Sequence, residues 1–163
     1  MKGPLGQKSL QIHDLITISC TKQHIKITHN VSKKLSNHEK KKVQSLKGTI
    51  VSLIKQLLVE ATTPVYQKLK FIGVGYRAFP VEGFENHLLL LKLGYSHPIY
   101  FRIPSDTNVF CLKLTKLFIY GYSFQQITFT ATKIRYNKTP EPYKGKGILY
   151  ENENIILKEG KKV

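Results

Sequence analysis

Apolar residues recur with helical spacing in two segments of the chain. The first helix is predicted to begin at Ser36, because Ser36-Asn37-His38-Glu39 spells a capping box. Pro64 limits its end to near Glu60. The apolar stripe of this helix consists of Val43, Leu46, Ile50, Leu53, Ile54 and Leu57. A second helix is predicted from Ser123, with Gln126 placed to complete another capping box. Its apolar positions are Phe124, Ile127, Ala131 and Ile134.

Alternating apolar and polar residues predict strands in the rest of the chain. Residues 8–30 indicate a pair of strands, followed by a polar, basic loop over 31–36. Further strands are predicted at 66–74, 76–81, 87–93, 99–103, 109–112 and 117–120. A sheet followed by a helix, twice, predicts an α+β fold with two small domains, 1–63 and 64–139.

The last segment, 140–163, differs from the rest. In "PEPYKGKG" the prolines and glycines disfavour regular structure, while Tyr143, Lys144, Lys146 and Tyr150 are spread along the segment. It is either a mobile terminus or an ordered loop whose amides and ammonium groups meet phosphates.

Charge narrows the class of partner. The chain carries 26 Lys and Arg against 10 Asp and Glu, a net charge of +16. Such an excess destabilises a compact chain unless a polyanion neutralises it, so a nucleic-acid partner is favoured over a membrane surface. No stretch approaches the roughly 18 apolar residues of a membrane span. The N-terminus shows neither a secretory signal pattern nor a transit-peptide pattern. The protein is therefore expected to act where it is made, or its targeting sequence has been removed.

The stretch "FIGVGYRAFP", residues 71–80, fits the loose spelling of a dinucleotide-binding loop. That loop needs a helix starting inside it and an acidic residue about twenty positions later. Here Pro80 opposes a helix, and the expected position of the acid reads Gly94-Tyr95-Ser96-His97-Pro98. The glycines are better explained by a bulge or by the close approach of a partner.

Catalytic and metal-binding patterns are weak. Cys20 and Cys111 are 91 positions apart and are predicted to be free thiols, although a single disulfide stays open. The six histidines form no zinc motif, and the pairs Glu82/Glu85 and Glu151/Glu153 read as solvated carboxylates. We therefore predict no enzyme activity, no catalytic residue, no metal and no cofactor.

Three separated motifs, "FIGVGYRA", "LGYSHPI" and "PEPYKGKGILY", resemble the bacterial-type large-subunit ribosomal protein L-six family. The resemblance runs from about Glu39 to the C-terminus. It implies two related domains, each an antiparallel sheet packed against one helix. It also implies binding to large-subunit rRNA near the sarcin–ricin loop and the base of the factor-binding stalk, beside neighbouring ribosomal proteins and with translation factors nearby.

The resemblance also places the residues expected to contact rRNA. They lie in the "GYSHP" turn, at the end of the second helix and in the C-terminal segment. The predicted residues are Tyr95, Ser96, His97, Arg135, Lys138, Tyr143, Lys144, Gly145, Lys146, Gly147 and Tyr150.

Two departures from the family pattern bear on the N-terminal domain and on the address of the protein. Where the family usually has Gly-Pro-x-Gly, the chain reads His29-Asn30-Val31-Ser32-Lys33, and 34–37 leaves no room for another strand pair, so this domain is predicted to be shortened. Arg occurs only at 77, 102 and 135, a bias that an A/T-rich gene would produce, as in organelle genomes and in some parasites or bacteria. A mitochondrial ribosome is thus the first choice, with a plastid or bacterial one second. The rivals are an RNA-binding module acting off the ribosome and, more remotely, a dinucleotide-binding enzyme.

Overall fold

The computed structural model describes residues 1–21, 24–29, 36–81, 83 and 87–160. The chain divides into two compact units, Met1–Thr63 and Pro64–Val163. Most of the predicted loop over 31–36, and Glu82 and Glu85, lie outside the described residues. The elements that are described bear out the predicted mixture of helices and small antiparallel sheets, an α+β fold.

In its described residues, the N-terminal unit contains two antiparallel strand pairs and one helix. Its elements are β1 (Lys2–Gly3), β2 (Gly6–Gln7), β3 (Ile16–Cys20), β4 (Ile25–His29) and α1 (Asn37–Thr62). The strands β3 and β4 are the predicted pair, with Ile18 opposite Ile27. The short pair β1–β2 carries no periodic signal because each strand has only two residues.

Helix α1 begins where the capping box predicts. The Ser36 backbone N–H donates to the Glu39 carboxylate at 2.8 Å, which satisfies a group that the helix leaves unpaired. Ile50 and Ile54 are buried together with Ile16 of β3, so the apolar stripe packs on this strand pair. The helix continues two residues beyond the predicted end, to Thr62, and stops just before Pro64.

The described part of the C-terminal unit contains two antiparallel sheets and helix α2 (Phe124–Tyr136). Its strands are β5 (Val65–Ile72), β6 (Arg77–Pro80), β7 (Leu88–Lys92), β8 (Ile99–Arg102), β9 (Thr107–Lys113), β10 (Lys116–Gly121) and β11 (Gly147–Tyr150). The four-stranded sheet has the order β11-β5-β10-β9, and the three-stranded sheet has the order β6-β7-β8. Both sheets and α2 share one core, in which Leu69, Leu91 and Ile134 are fully buried.

Strand β11 was not predicted from the sequence, in which Gly147 disfavours regular structure. The strand pairs with β5, placing Ile148 opposite Phe71, and Ile148 is completely buried. The bounding glycine adopts φ +152°, so it allows the chain to turn into the sheet edge. The segment after residue 140 therefore supplies part of the core of this unit.

The predicted capping box of α2 is wrong. Ser123 makes no side-chain hydrogen bond to the helix, and the Gln126 amide instead donates to the Asp106 carboxylate at 2.7 Å. Asp106 lies just before β9 and is distant from Gln126 in sequence. The Gln126 side chain therefore bonds to this distant partner and not to the helix end that its local spacing predicts.

The glycines of "FIGVGYRAFP" form a turn between two strands. Gly75 has φ +75°, and β6 rather than a helix follows it. A Cβ at Gly73 would lie 2.7 Å from the ring of Tyr76, so this glycine makes room for a buried tyrosine. The arrangement agrees with the prediction that this is no nucleotide loop. Neither helix in the described part of the chain combines the length and hydrophobicity needed to cross a bilayer.

Candidate nucleic-acid interface

Three predicted segments meet on the C-terminal unit: the turn at 94–98, the end of α2 and the loop at 140–147, which we call the Pro/Gly loop. The Tyr95 hydroxyl donates to the backbone oxygen of Asn137 at 3.1 Å. The Lys138 ammonium lies 4.4 Å from the centroid of the Tyr95 ring. Residues 43 positions apart in sequence thus form one surface.

The 94–98 turn packs against the ring of Tyr76. Gly94 has φ +75°, and a Cβ there would lie 3.1 Å from the Tyr76 ring. Tyr95 and His97 stack with their centroids 6.2 Å apart, and both side chains, with that of Ser96, are exposed. The turn therefore presents two parallel rings and a hydroxyl to the solvent.

The Pro/Gly loop is closed by its own backbone. The Glu141 N–H donates to the Lys146 oxygen, and the Gly145 N–H donates to the Glu141 oxygen, both at 2.9 Å. The Lys158 N–H donates to the Pro142 oxygen at 2.9 Å, which ties the loop to the chain that follows. Gly145 has φ +69°, a conformation that side chains disfavour. These hydrogen bonds give the loop a defined backbone shape, which is what the interpretation as an ordered loop requires.

This closed loop projects the predicted contact residues in different ways. Tyr143 and Lys144 are exposed, and Lys146 is half-buried at the rim of the loop. Gly147 is buried, and a Cβ there would lie 2.5 Å from Cα of Pro140, so this position fits only glycine. The loop thus offers two ammonium groups on a backbone whose shape its glycines set.

Arg135 and Tyr150 are engaged within the protein. The Arg135 guanidinium donates twice to Glu153, at 2.6 and 3.2 Å, and lies 5.5 Å from the Tyr150 ring centroid. Glu153 also accepts the Tyr150 N–H at 3.2 Å. The hydrogen bond from Arg135 holds the pKa of Glu153 below its ordinary value. These contacts fasten the end of β11 to α2.

A cleft of about 570 Å³ lies between these segments. Its lining consists of Tyr76, Tyr95, Tyr136, Asn137, Lys138, Thr139, Pro140, Glu141, Pro142 and Lys146. Tyr136, 82% exposed, was not among the predicted contact residues. Its position off the apolar stripe of Ile127, Ala131 and Ile134 is the sequence signal that could have identified it.

The electrostatics of the cleft favour an anion. Residues 133–147 contain five basic side chains and one acidic one, Glu141. Lys138 and Lys146 line the cleft together with Glu141, so basic residues outnumber acidic ones on its wall. Exposed rings beside cations are the combination with which proteins hold nucleotides.

The described residues offer little for catalysis. They contain no cluster of three or more His, Cys, Asp and Glu side chains that would hold a metal ion. Cys20 and Cys111 are free thiols, and burial raises the pKa of Cys111, which disfavours a reactive thiolate there.

Comparison with known proteins identifies the family. The model of the family described as Ribosomal protein L6 matches residues 72–151, which span the turn, the helix and the loop of this interface. Large ribosomal subunit protein uL6 of Mycoplasmoides gallisepticum is 39% identical over 161 residues, covering 99% of this chain and 83% of the relative. The chain belongs to the ribosomal protein L6 family.

Other L6 relatives give the same answer. The uL6 proteins of Afipia carboxidovorans and Mycoplasma genitalium are each 36% identical, and the alignments cover 99% of this chain and 85% and 83% of the relatives. L6 proteins are structural and non-enzymatic, which confirms the prediction that this chain is no enzyme and supports a structural role in the large ribosomal subunit. These relatives are bacterial, so they do not bear out the mitochondrial address.

Proposed function

We propose that this L6 protein holds large-subunit rRNA through the interface described above and so supports translation as a structural constituent of the subunit. The interface comprises the predicted residues Tyr95, Ser96, His97, Arg135, Lys138, Tyr143, Lys144, Gly145, Lys146, Gly147 and Tyr150, together with Tyr136. The chain then divides into an N-terminal domain 1–63, a C-terminal body 64–139 and an rRNA-binding segment 140–163.

The observation that carries this proposal is the closed Pro/Gly loop beside Lys138. Its backbone hydrogen bonds fix the main chain at Lys144 and Lys146 in the absence of a partner. Little backbone entropy is therefore lost when phosphates bind. Neutralising phosphates releases their counterions, which supplies much of the binding free energy. The surface reads shape rather than sequence, because duplex RNA hides its base edges in a deep groove.

The contact residues divide by role. Lys138, Lys144 and Lys146 meet phosphates, while the rings of Tyr95 and Tyr143 stack on sugars or unpaired bases. Arg135 and Tyr150 act through the ion pair with Glu153, which holds β11 and hence the loop in place. Gly145 and Gly147 give the loop its shape and let RNA approach the backbone.

Within the ribosome, we propose that this interface lies near the sarcin–ricin loop and the base of the factor-binding stalk, which is the location that the family resemblance implies. Its neighbours there are other large-subunit proteins, with translation factors close by. We assign the protein to a mitochondrial ribosome, supported by 23 lysines among 26 basic residues and by the atypical 29–33 segment. Mass spectrometry of purified mitochondrial large subunits should find it, whereas recovery only from plastid or bacterial subunits would overturn the address.

The test of rRNA binding uses the full chain and a large-subunit rRNA fragment containing the sarcin–ricin region. The variant Lys144→Glu/Lys146→Glu should bind rRNA more weakly. The slope of log affinity against log salt concentration should become less steep by the amount expected for the loss of about two phosphate contacts. A control variant, Lys26→Glu/Lys55→Glu, makes the same change in net charge at exposed positions of the N-terminal unit.

A salt slope that is unchanged in the loop variant, or lowered equally in the control, would exclude these lysines as specific phosphate ligands. A protein that sediments with free mRNA but not with large subunits would instead support an RNA-binding module acting off the ribosome. Sedimentation through a sucrose gradient separates the two.

A further inference from the structure

Four aromatic side chains project from the four-stranded sheet on the side opposite α2. This aromatic face consists of Tyr66 on β5, Phe110 on β9, and Phe118 and Tyr120 on β10. Successive side chains of a strand point to opposite faces, and the intervening Leu69, Leu117 and Ile119 are fully buried in the core shared with α2. Tyr66 lies opposite Tyr120, and Phe118 lies opposite Phe110, so the four rings share one face.

The rings form a partly exposed platform. Tyr66 and Phe118 stack with centroids 5.3 Å apart, and Phe110 and Tyr120 stack at 5.8 Å with planes only 12° apart. Tyr66 on the inner strand β5 is 57% exposed and Phe110 on the edge strand β9 is 50% exposed, although the opposite side of the same sheet is covered by a buried core. A contiguous exposed apolar patch of this kind marks an interaction site.

The charges on this face discriminate between classes of partner. Lys68 and Lys70 alternate with Tyr66 along β5, and Lys116 of β10 lies opposite Lys70. The four strands of this sheet, all within the described residues, contain no Asp or Glu. Lys is depleted at protein–protein interfaces, whereas surfaces that bind single-stranded nucleic acid combine cations with stacking rings.

Lys68 and Lys70 each have an internal contact that bears on this assignment. The Lys68 ammonium lies 3.2 Å from the Glu151 carboxylate, and the Lys70 ammonium donates to the Glu151 backbone oxygen at 2.8 Å. The Lys68–Glu151 pair is more than a third exposed, so water screens it and a phosphate can compete for the lysine. Lys68 also lies 5.6 Å from the Tyr66 ring centroid, which keeps the cation at the edge of the platform.

We propose that the aromatic face binds unpaired nucleotides of rRNA. Their bases stack on Tyr66 and Phe110, and Lys68, Lys70 and Lys116 meet the phosphates between them. Duplex RNA does not suit this surface, because its bases are already stacked on one another. This second contact lies on residues separate from the Pro/Gly loop and goes beyond the function proposed above.

A unique fluorescent probe tests the proposal, because the chain contains no tryptophan. Tyr66→Trp places an indole on the aromatic face. Phe129→Trp is the matched control, since Phe129 is 59% exposed on α2, and the Lys133 ammonium lies 4.3 Å from its ring. Each full-length variant is titrated with an oligouridylate of about eight nucleotides and with a duplex of equal phosphate number.

The expected result is saturable quenching of the indole at position 66 by the single strand, with weaker quenching by the duplex and little change at position 129. In the otherwise unchanged chain, Tyr66→Leu/Phe110→Leu should weaken single-strand binding by about ten-fold or more, while circular dichroism shows the fold retained. Leucine keeps the apolar surface and removes the stacking ring.

Equal quenching at both positions, equal quenching by duplex and single strand, or unchanged affinity of the leucine variant would overturn the proposal. An aromatic face that receives a neighbouring protein gives no quenching by RNA, which also overturns it. Lys144→Glu/Lys146→Glu in the Tyr66→Trp background should leave the quenching by single-stranded RNA in place. Failure of the aromatic face and failure of the Pro/Gly loop are therefore separate results.

Discussion

The two units of the chain bury very different cores. Among the described residues, the C-terminal unit has a cluster of fifteen buried side chains drawn from two sheets and α2, whereas the helix-and-strand cluster of the N-terminal unit has three. The buried residues of that smaller cluster are Ile16, Ile50 and Ile54. Because the hydrophobic contribution to stability grows with the apolar area buried on folding, we expect the N-terminal unit to be the less stable of the two.

This difference bears on function, because both proposed RNA surfaces lie on the unit with the larger core. A surface held by a rigid core presents its lysines and rings in one arrangement, so less entropy is lost on binding. The N-terminal unit has the smaller core and carries Lys40, Lys41 and Lys42 in the first two turns of α1, near the end of the helix where the dipole disfavours cations. We expect its stability to depend more on the bound polyanion.

The largest predicted effect comes from removing a core side chain. Leu117→Ala should lower the free energy of unfolding by about 2–5 kcal/mol, because Leu117 is fully buried between the sheet and its covering elements. Ile50→Ala should lower it by no more than about 2 kcal/mol, since α1 and one strand pair can collapse around the smaller residue. Urea unfolding followed by circular dichroism measures both. An equal or larger loss for Ile50→Ala would contradict the contrast between the two cores.

The second prediction separates backbone strain from steric clash. Gly147 and Gly6 both have positive φ, +152° and +132°, but only at Gly147 would a Cβ meet other atoms, the backbone of Pro140 and Thr139. Gly147→Ala should therefore cost about 1–3 kcal/mol and weaken rRNA binding by moving the Pro/Gly loop. Gly6→Ala bears the strain of its φ alone and should cost less. Thermal unfolding and rRNA titration of both variants test this, and equal losses would show that the Pro140 contact is unimportant.

The same glycine shows where sequence reasoning succeeds and where it fails. The strands β5 to β10 and both helices were predicted to within a few residues, because apolar spacing and flanking turn residues are local signals. Strand β11 was missed because it has four residues, follows a Pro/Gly-rich loop and exists only through its pairing with β5, about eighty positions earlier. Local spacing carries no information on such a pairing.

The interface follows the same rule. The turn at 94–98 and the loop at 140–147 were recognised from family motifs, and the lysines from charge. The contact of Tyr95 with Asn137 and the pairing of Arg135 with Glu153 depend on the folded arrangement. Glu153 read as a solvated carboxylate in the sequence, yet in the structure it fastens β11 to α2. The aromatic face could not be predicted from the sequence either, because its four rings come from three strands whose register the sequence does not specify.

The smallest predicted effect concerns this ion pair. Glu153→Gln should cost about 1 kcal/mol at neutral pH, because the Arg135 and Glu153 side chains are 27% and 26% exposed and water screens their attraction. The pKa of Glu153 is lowered in the folded protein, so the unfolded chain binds its proton more readily, and stability rises with pH. The contribution is complete above the ordinary pKa of 4.5 and is lost as the pH falls through the lowered folded value.

The stability difference between the parent chain and Glu153→Gln should therefore shrink as the pH falls below about 4.5. Chemical unfolding at a series of pH values measures this difference and removes the common effect of the other carboxylates. Glu39→Gln in the N-terminal unit is the control, since glutamine serves at this position of a capping box nearly as well as glutamate. A difference for Glu153→Gln that stays constant down to pH values well below 4.5 would mean that Arg135 does not act through the charge of Glu153. Shape and hydrogen bonding alone would then hold β11 against α2.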